Sequence, residues 1–416
     1  MTNSTGHIAS DQTEPYYDPF SYEIDEDPYP WFKRLRDEAP LYYNDKHDFF
    51  ALSRYRDVDD ASRDWQTFSS ARGTVLELLD MPPEQLPKMI IFMDPPQHDR
   101  LRKLVNRGFY PRRIAELEPR LREIAAELLA PFSPGDTFDL VQDYAGPFSA
   151  MVIGALAGVP EEDRHIVRQW NEAGLQLKEG ETAAEGMKVL LKRSESVEER
   201  PRVDMHAYFK GLAEERRKNP REDMISAIIA SEIEEEGGDL RPLDNREVLD
   251  FIALLSSAGT ETVSRMLGWA GVYLPEHPGQ MAELVADPSL IPGAIEELLR
   301  IEPPSPVQAR ITQRPVTLYG QELEAGSKVL LLTGSAGRDE REYDEPDRFD
   351  IHRNPKHASF GRGVHFCLGA ALARLEGRVA LEELFRRFPR WEVDHDNAER
   401  MHTSTVRGYL RLPIRV

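Results

Sequence analysis

The chain has 416 residues, 40% of them hydrophobic, and a formal net charge of −21. That acidity argues against nucleic acid as a partner, because phosphate binding needs a basic surface, and no stretch approaches the roughly 20 uninterrupted apolar residues of a membrane helix. The single cysteine, Cys367, allows no intrachain disulfide, which favours a cytoplasmic setting.

Residues 1–18 are polar, lack an apolar signal core, and read as a flexible tail ahead of one integrated domain, 19–416. Leu41 to Leu52 reads as a hairpin around Asn44-Asp45-Lys46. The segment from Asp94 to Arg102 starts a helix that puts His98 and Arg102 four residues apart on one face, where both can reach the same anion. Most of the interval from Arg112 to Leu299 is helical in pattern, interrupted by connectors such as Glu232 to Asp239.

Within that interval Asp244, with Glu247 three positions later, reads as a capping box. From there to Leu274, before Pro275, a continuous helix would be about 46 Å long. Its middle, Ser257-Ala258-Gly259-Thr260-Glu261-Thr262-Val263, is awkward for a helix interior, since Gly259 weakens the backbone and the hydroxyls compete for carbonyls. Such a conflict marks a functional site. Next, Glu297 and Arg300 of Glu296-Glu297-Leu298-Leu299-Arg300 share a helical face, and Arg310 precedes a hairpin-like run from Val316 to Thr333.

The run Phe360-Gly361-Arg362-Gly363-Val364-His365-Phe366-Cys367-Leu368-Gly369 wraps three glycines around one sulfur. Leu368, Leu372, Leu375, Val379 and Phe388 then recur at helical spacing up to Pro389, so Cys367 stands at a helix entrance. Free N–H groups and the helix dipole there favour a thiolate and lower the thiol's proton affinity. Such a sulfur serves as a haem ligand, a nucleophile, a metal ligand or an inert thiol. Zinc is disfavoured, because its structural sites take four ligands at short spacings and no second cysteine exists.

Phe360 to Gly369 resembles, position for position, the ligand loop Phe-Gly-x-Gly-x-His-x-Cys-x-Gly of the cytochrome P450 family. The resemblance implies a mainly α fold with small β-sheets, a triangular helical prism holding haem b between a long distal helix and the cysteine loop. On it Cys367 is the axial iron ligand, Phe360, Gly361 and Gly369 shape the loop, and His365 reaches a haem propionate. His98, Arg102 and Arg310 resemble the remaining propionate partners. Ser257 to Val263 resembles the oxygen-binding segment Ala-Gly-x-Glu/Asp-Thr, so that Ala258 and Gly259 leave room for dioxygen, Thr262 steadies the oxygen and Glu261 relays protons. Glu297 and Arg300 resemble the family's Glu-x-x-Arg pair, with Arg348 of Pro346-Asp347-Arg348-Phe349 as the expected third member and Arg353 as its competitor.

The implied activity is a monooxygenase that hydroxylates or epoxidises a small lipophilic molecule with O2. Its electrons would come from NAD(P)H through a ferredoxin reductase and an acidic ferredoxin. A peroxide-driven peroxygenase, a haem gas sensor or carrier, and a cysteine hydrolase using Cys367 and His365 remain alternatives. The distal pocket is expected from Val75 to Phe92, Leu175 to Leu191, Phe251 to Leu255, Ser305 to Gln308 and Ser404 to Val406. Residues 98–113 and 353–390 each carry a local charge of +5, and both islands are expected to dock the ferredoxin.

Overall fold

The computed structural model describes residues 14–166, 168, 205–235 and 238–416. The first 13 residues of the expected tail and the segment Leu175 to Leu191 lie outside the described residues. The described end of that tail is packed: Tyr17 is buried against the rings of Phe32 and Phe49. The Asp18 carboxylate accepts from Phe20 N–H and from Lys46, at 2.9 and 2.8 Å. The packed chain therefore includes Tyr17 and Asp18, because one aromatic ring among others offsets the polarity of its neighbours.

The Leu41–Leu52 hairpin forms as β1 (Leu41–Asn44) and β2 (Phe49–Leu52). With β3 (Phe68–Ser69), β4 (Gln308–Thr312) and β5 (Lys328–Leu331) it makes a five-stranded sheet in the order β1-β2-β5-β4-β3. Only the β5–β2 pair is parallel. Arg310 sits on β4 opposite Val329. Two expected runs resolve into more than was read from them. Val316–Leu318 pairs with Gln321–Leu323 before β5 begins, and the connector Glu232 to Asp239 opens a small hairpin, Glu232–Glu234 against Leu240–Pro242, whose Ile233 is buried.

Six helices place the site: α1 (Gln97–Asn106), α2 (Glu118–Leu129), α3 (Gly146–Ala157), α4 (Asn245–Glu276), α5 (Ile291–Ile301) and α6 (Ala370–Arg387). The capping box at Asp244 and Glu247 is present, and α4 runs unbroken for 32 residues, with Pro275 inside its last turn. The conflict at its middle is resolved locally and by packing. The hydroxyls of Thr260 and Thr262 donate to the carbonyls one turn back, at 2.7 and 3.0 Å. Gly259 faces α3, where a Cβ would stand 2.5 Å from Ile153 Cγ1. Likewise α6 crosses α4 at Gly377, where a Cβ would meet Met266 Cε at 2.6 Å. These helices share one large apolar core, while the sheet and the helix Tyr29–Glu38 bury a second.

Long-range polar ties complete the frame. Glu302, buried just past α5, accepts from Tyr29 Oη at 2.7 Å, Tyr273 Oη at 3.0 Å, Arg338 at 3.0 Å and Arg407 at 2.5 Å. It thereby joins the amino-terminal segment, α4 and the terminal hairpin of β6 (Glu399–Met401) and β7 (Gly408–Arg411). Between α2 and α6, Arg122 contacts Glu118, Glu382 and Glu383 at 2.6, 2.5 and 2.9 Å, and Glu118 also holds Arg378.

One carboxyl lacks such a tie. Glu376 on α6 is buried, its Oε2 has no hydrogen-bond partner among the described residues, and burial pushes its pKa well above the ordinary carboxylate range. Below the ordinary range the folded and unfolded chains both hold this proton. As pH rises past it, the unfolded chain releases the proton and the folded chain keeps it, so folding loses up to about 1.4 kcal/mol per pH unit. Glu376→Gln removes that loss. Denaturant unfolding between pH 5 and 8 should show the variant gaining on the parent as pH rises; parallel stability curves would contradict the buried neutral acid.

Candidate active site

The site is built outward from α5. Glu297 and Arg300 are fully buried and pair through two contacts of 2.7 Å. Arg300 also donates to the carbonyls of Gly337 and Pro346, at 2.6 Å each, and of Arg348, at 3.2 Å. The third member is Arg353: its Nε donates to Glu297 at 3.1 Å, and its other nitrogens take the carbonyls of Asp344, Glu345 and Arg348. This corrects the assignment to Arg348. Its backbone carbonyl turns inward toward the arginines, and its exposed side chain leaves to pair with Glu345 and Asp350 at 2.7 Å each.

The segment held in this way leads into the cysteine loop. Gly361 and Gly363 adopt φ of 69° and 62°, a region that disfavours other residues. Cys367 N–H donates to the Phe360 carbonyl at 2.8 Å and closes the loop. The sulfur accepts from Gly369 N–H and lies in the field of Arg102 and Arg374. Even so, its pKa is raised, contrary to the expectation from helix position. Cys367 is exposed on one side, and the chain around the rest of it withholds water from a thiolate, outweighing the attraction of the N–H and the two arginines. A coordinated metal ion reverses that balance, since a coordinating thiol is deprotonated.

Phe360 packs beneath Arg374, whose guanidinium stands 4.5 Å from the ring centroid. Glu296 fixes Arg374 through contacts of 2.6 and 2.8 Å, and meets His357 at 3.1 Å. Burial opposes ionisation of Glu296, but these hydrogen bonds bring its pKa down to about 2. Arg374 was not singled out in the sequence. Its signal was there, because it follows Cys367 by seven residues, two helical turns.

A cationic cluster borders the loop. The rings of His98 and His365 lie edge to face 4.6 Å apart, and the Nε2 of each is buried without a partner among the described residues. Burial, followed by the charges of Arg310, His98 and Arg102, brings the pKa of His365 down to about 3. Burial takes Arg310 down to about 10. Arg102 departs from the clamp read in the sequence: its guanidinium donates to the loop carbonyls of Val364, at 3.1 Å, and Phe366. It holds the loop while His98, His365 and Arg310 converge.

On α4, Ala258 is exposed in the middle of a largely buried helix, and Thr262 lies partly exposed one turn later. Gly259, expected to leave room for dioxygen, is turned onto Ile153 instead, so Ala258 is the small residue on the open face. Glu261 is buried in an ion pair with Arg265 at 2.5 Å. Three expected pocket segments are joined: Ser305 Oγ donates to the Thr405 carbonyl at 3.1 Å, and Ser404 Oγ donates to the Glu77 carboxylate at 3.0 Å.

Orphaned imidazole nitrogens, a buried arginine and a one-sided sulfur suit a haem. Cys367 would hold the iron, and His98, His365 and Arg310 the propionates. The bound group would supply oxygen activation.

The family model for cytochrome P450 matches residues 31–415. A putative cytochrome P450 of Mycobacterium tuberculosis is 41% identical over 402 residues, 96% of each chain. The erythromycin C-12 hydroxylase of Saccharopolyspora erythraea is 37% identical, covering 92% of this chain and 93% of its own. A Bacillus megaterium cytochrome P450 solved with testosterone superposes with a TM-score of 0.82 at 30% identity, covering 95% of this chain and 99% of its own.

The correction at Arg353 has a measurable consequence. Arg353→Ala leaves Glu297 short of a buried partner and should destabilise by about 3 kcal/mol, whereas Arg348→Ala should change stability by less than ~0.5 kcal/mol. Denaturant titration of both variants decides this; equal losses would return the role to Arg348.

Proposed function

We propose a reaction from one premise: the chain belongs to the cytochrome P450 family, and is a monooxygenase that incorporates an atom of molecular oxygen. It hydroxylates or epoxidises a small lipophilic substrate at a haem b held through Cys367. NAD(P)H supplies the electrons through a ferredoxin reductase and a ferredoxin. The observations carrying this reading are the cysteine loop with the unpartnered imidazole nitrogens beside it and the open stripe of Ala258 and Thr262 on α4. Thr262 presents a hydroxyl on that stripe, and Glu261 one residue earlier supplies a carboxylate, the acid–alcohol pair that proton delivery to oxygen requires. The hydrolase alternative falls with family membership.

Two things support a lipophilic substrate. Leu76, Leu78, Leu79, Ile90 and Phe92 are buried along the segment that Ser404 meets through Glu77. Relatives include a cyclomarin C epoxidase and the erythromycin hydroxylase, and structures of similar chains hold testosterone or corticosterone. No helix among the described residues is long and apolar enough to cross a membrane, and the reading remains a cytoplasmic enzyme.

The ferredoxin surface is narrower than the two islands suggested. In the second island Arg353, Arg362, Arg374, Arg378 and Arg386 all pair with carboxylates, and Arg387 caps the carbonyls of Ala130 and Phe132. Their charge is largely neutralised within the fold. In the first island Lys103, Arg112 and Arg113 are exposed, with Arg112 3.9 Å from Glu116. This island therefore carries the docking role.

Two measurements test the reading. Haem-loaded protein, reduced under carbon monoxide, should show a thiolate-type spectrum that Cys367→Ser loses; an imidazole-type spectrum in the parent would end the assignment. Neutralising Arg100, Lys103 and Arg113 together should slow ferredoxin-driven reduction about tenfold at low salt, with the difference shrinking as salt rises. Unchanged rates at every ionic strength would remove the docking surface.

A further inference from the structure

Beyond the acid and alcohol themselves, α4 buries an arginine, Arg265. It lies one turn after Glu261, is 1% exposed, and donates Nη2 to Glu261 Oε2 at 2.5 Å. Its Nη1 donates to the Tyr409 carbonyl on β7, and its Nε has no partner among the described residues. Gly408 makes this approach possible, since a Cβ there would stand 2.7 Å from Arg265 Cδ and 2.8 Å from its Cβ. One guanidinium therefore spans an acid on α4 and the backbone of the terminal hairpin.

The turn of that hairpin reaches the substrate side. Between β6 and β7, Ser404 donates to Glu77 and the Thr405 carbonyl accepts from Ser305. Acid, arginine, strand and pocket segments thus form one series of bonded neighbours. An apolar side chain could fill the place of Arg265 without desolvating a charge. What a guanidinium adds is a planar fork, one arm fixing a carboxylate oxygen while the other is anchored elsewhere.

We propose that Arg265 is a positioning residue for proton delivery: its fork sets the orientation from which Glu261 passes protons toward Thr262, and ties that orientation to the hairpin bordering the substrate. This rests on the reading of Glu261 as the relay acid. In the productive reaction, O2, two electrons from NADPH by way of ferredoxin and two protons place one oxygen atom in substrate and release the other as water. When proton delivery is misplaced, the same two electrons and two protons leave with O2 as hydrogen peroxide.

The test uses haem-loaded enzyme with a surrogate ferredoxin and ferredoxin reductase, oxidising NADPH in H2O and D2O, with peroxide measured alongside. Glu261→Gln should slow NADPH oxidation and raise the solvent isotope effect at least twofold. Arg265→Gln should match it, Arg265→Lys should fall between it and the parent, and the double variant Glu261→Gln/Arg265→Gln should be no worse than Glu261→Gln alone. Peroxide per NADPH should rise in the same order. In the haem-free protein, amide exchange across residues 399–411 should quicken about tenfold in Arg265→Gln. Gly408→Ala, which displaces the guanidinium and keeps its charge, should reproduce both effects and serves if Arg265→Gln does not fold. A changed isotope effect in Glu261→Gln with parental values in Arg265→Gln or in Gly408→Ala overturns the proposal and leaves the relay standing. A parental isotope effect in Glu261→Gln sinks the relay reading and the proposal together.

Discussion

Two consecutive glutamates on α5 constrain the whole proximal side. Glu297 is fully buried and pairs with Arg300 and Arg353, whose remaining nitrogens satisfy the carbonyls of an irregular segment from Gly337 to Arg348. Glu296 points to Arg374 and His357, which bracket Phe360 at the start of the cysteine loop. One helical turn thus fixes both the path into the loop and the Phe360 ring at its start. Irregular backbone can be buried only when its carbonyls find donors, and the arginines provide them in number.

The electrostatics of the loop show why the haem-free protein is poised for an anionic, metal-bearing group. Burial opposes a charged Cys367, a charged His365 and a charged Arg310, and at His365 the neighbouring cations add to it. Each of the three would be relieved by what a haem brings: an iron for the sulfur, carboxylates for the cations. The site therefore holds its donors in position at some cost to folding, a strain familiar where preorganised groups await a ligand. Arg102, tied to loop carbonyls, contributes by keeping those donors in place.

On the other side of the molecule, α4 serves three neighbours at once. Gly259 lets α3 approach, Met266 receives α6 at Gly377, and Arg265 engages the terminal hairpin. What remains for the site is the narrow stripe of Ala258 and Thr262. The second long-range tie, Glu302 with Tyr29, Tyr273, Arg338 and Arg407, secures the same hairpin through Arg407, two residues before the Tyr409 carbonyl that Arg265 holds.

The sequence by itself determined whatever depends on near neighbours along the chain. The glycines and cysteine of the loop, the capping box at Asp244, the β1–β2 hairpin and the i, i+3 pair of Glu297 and Arg300 are all local patterns, and each took the form its spacing required. Only tertiary structure decided the direction of side chains whose partners come from distant segments. Arg348 and Arg353 are indistinguishable by type, and the turn of the backbone at Arg348 selected between them. Gly259 was expected to face the site until Ile153 claimed its face, and in the basic island at 353–390 Arg362, Arg374 and Arg378 are paired with acids on other elements. The Cys367 thiol followed the same rule: its helix position was legible, but the desolvation that raises its pKa is a sum over the surrounding fold, which no local pattern encodes.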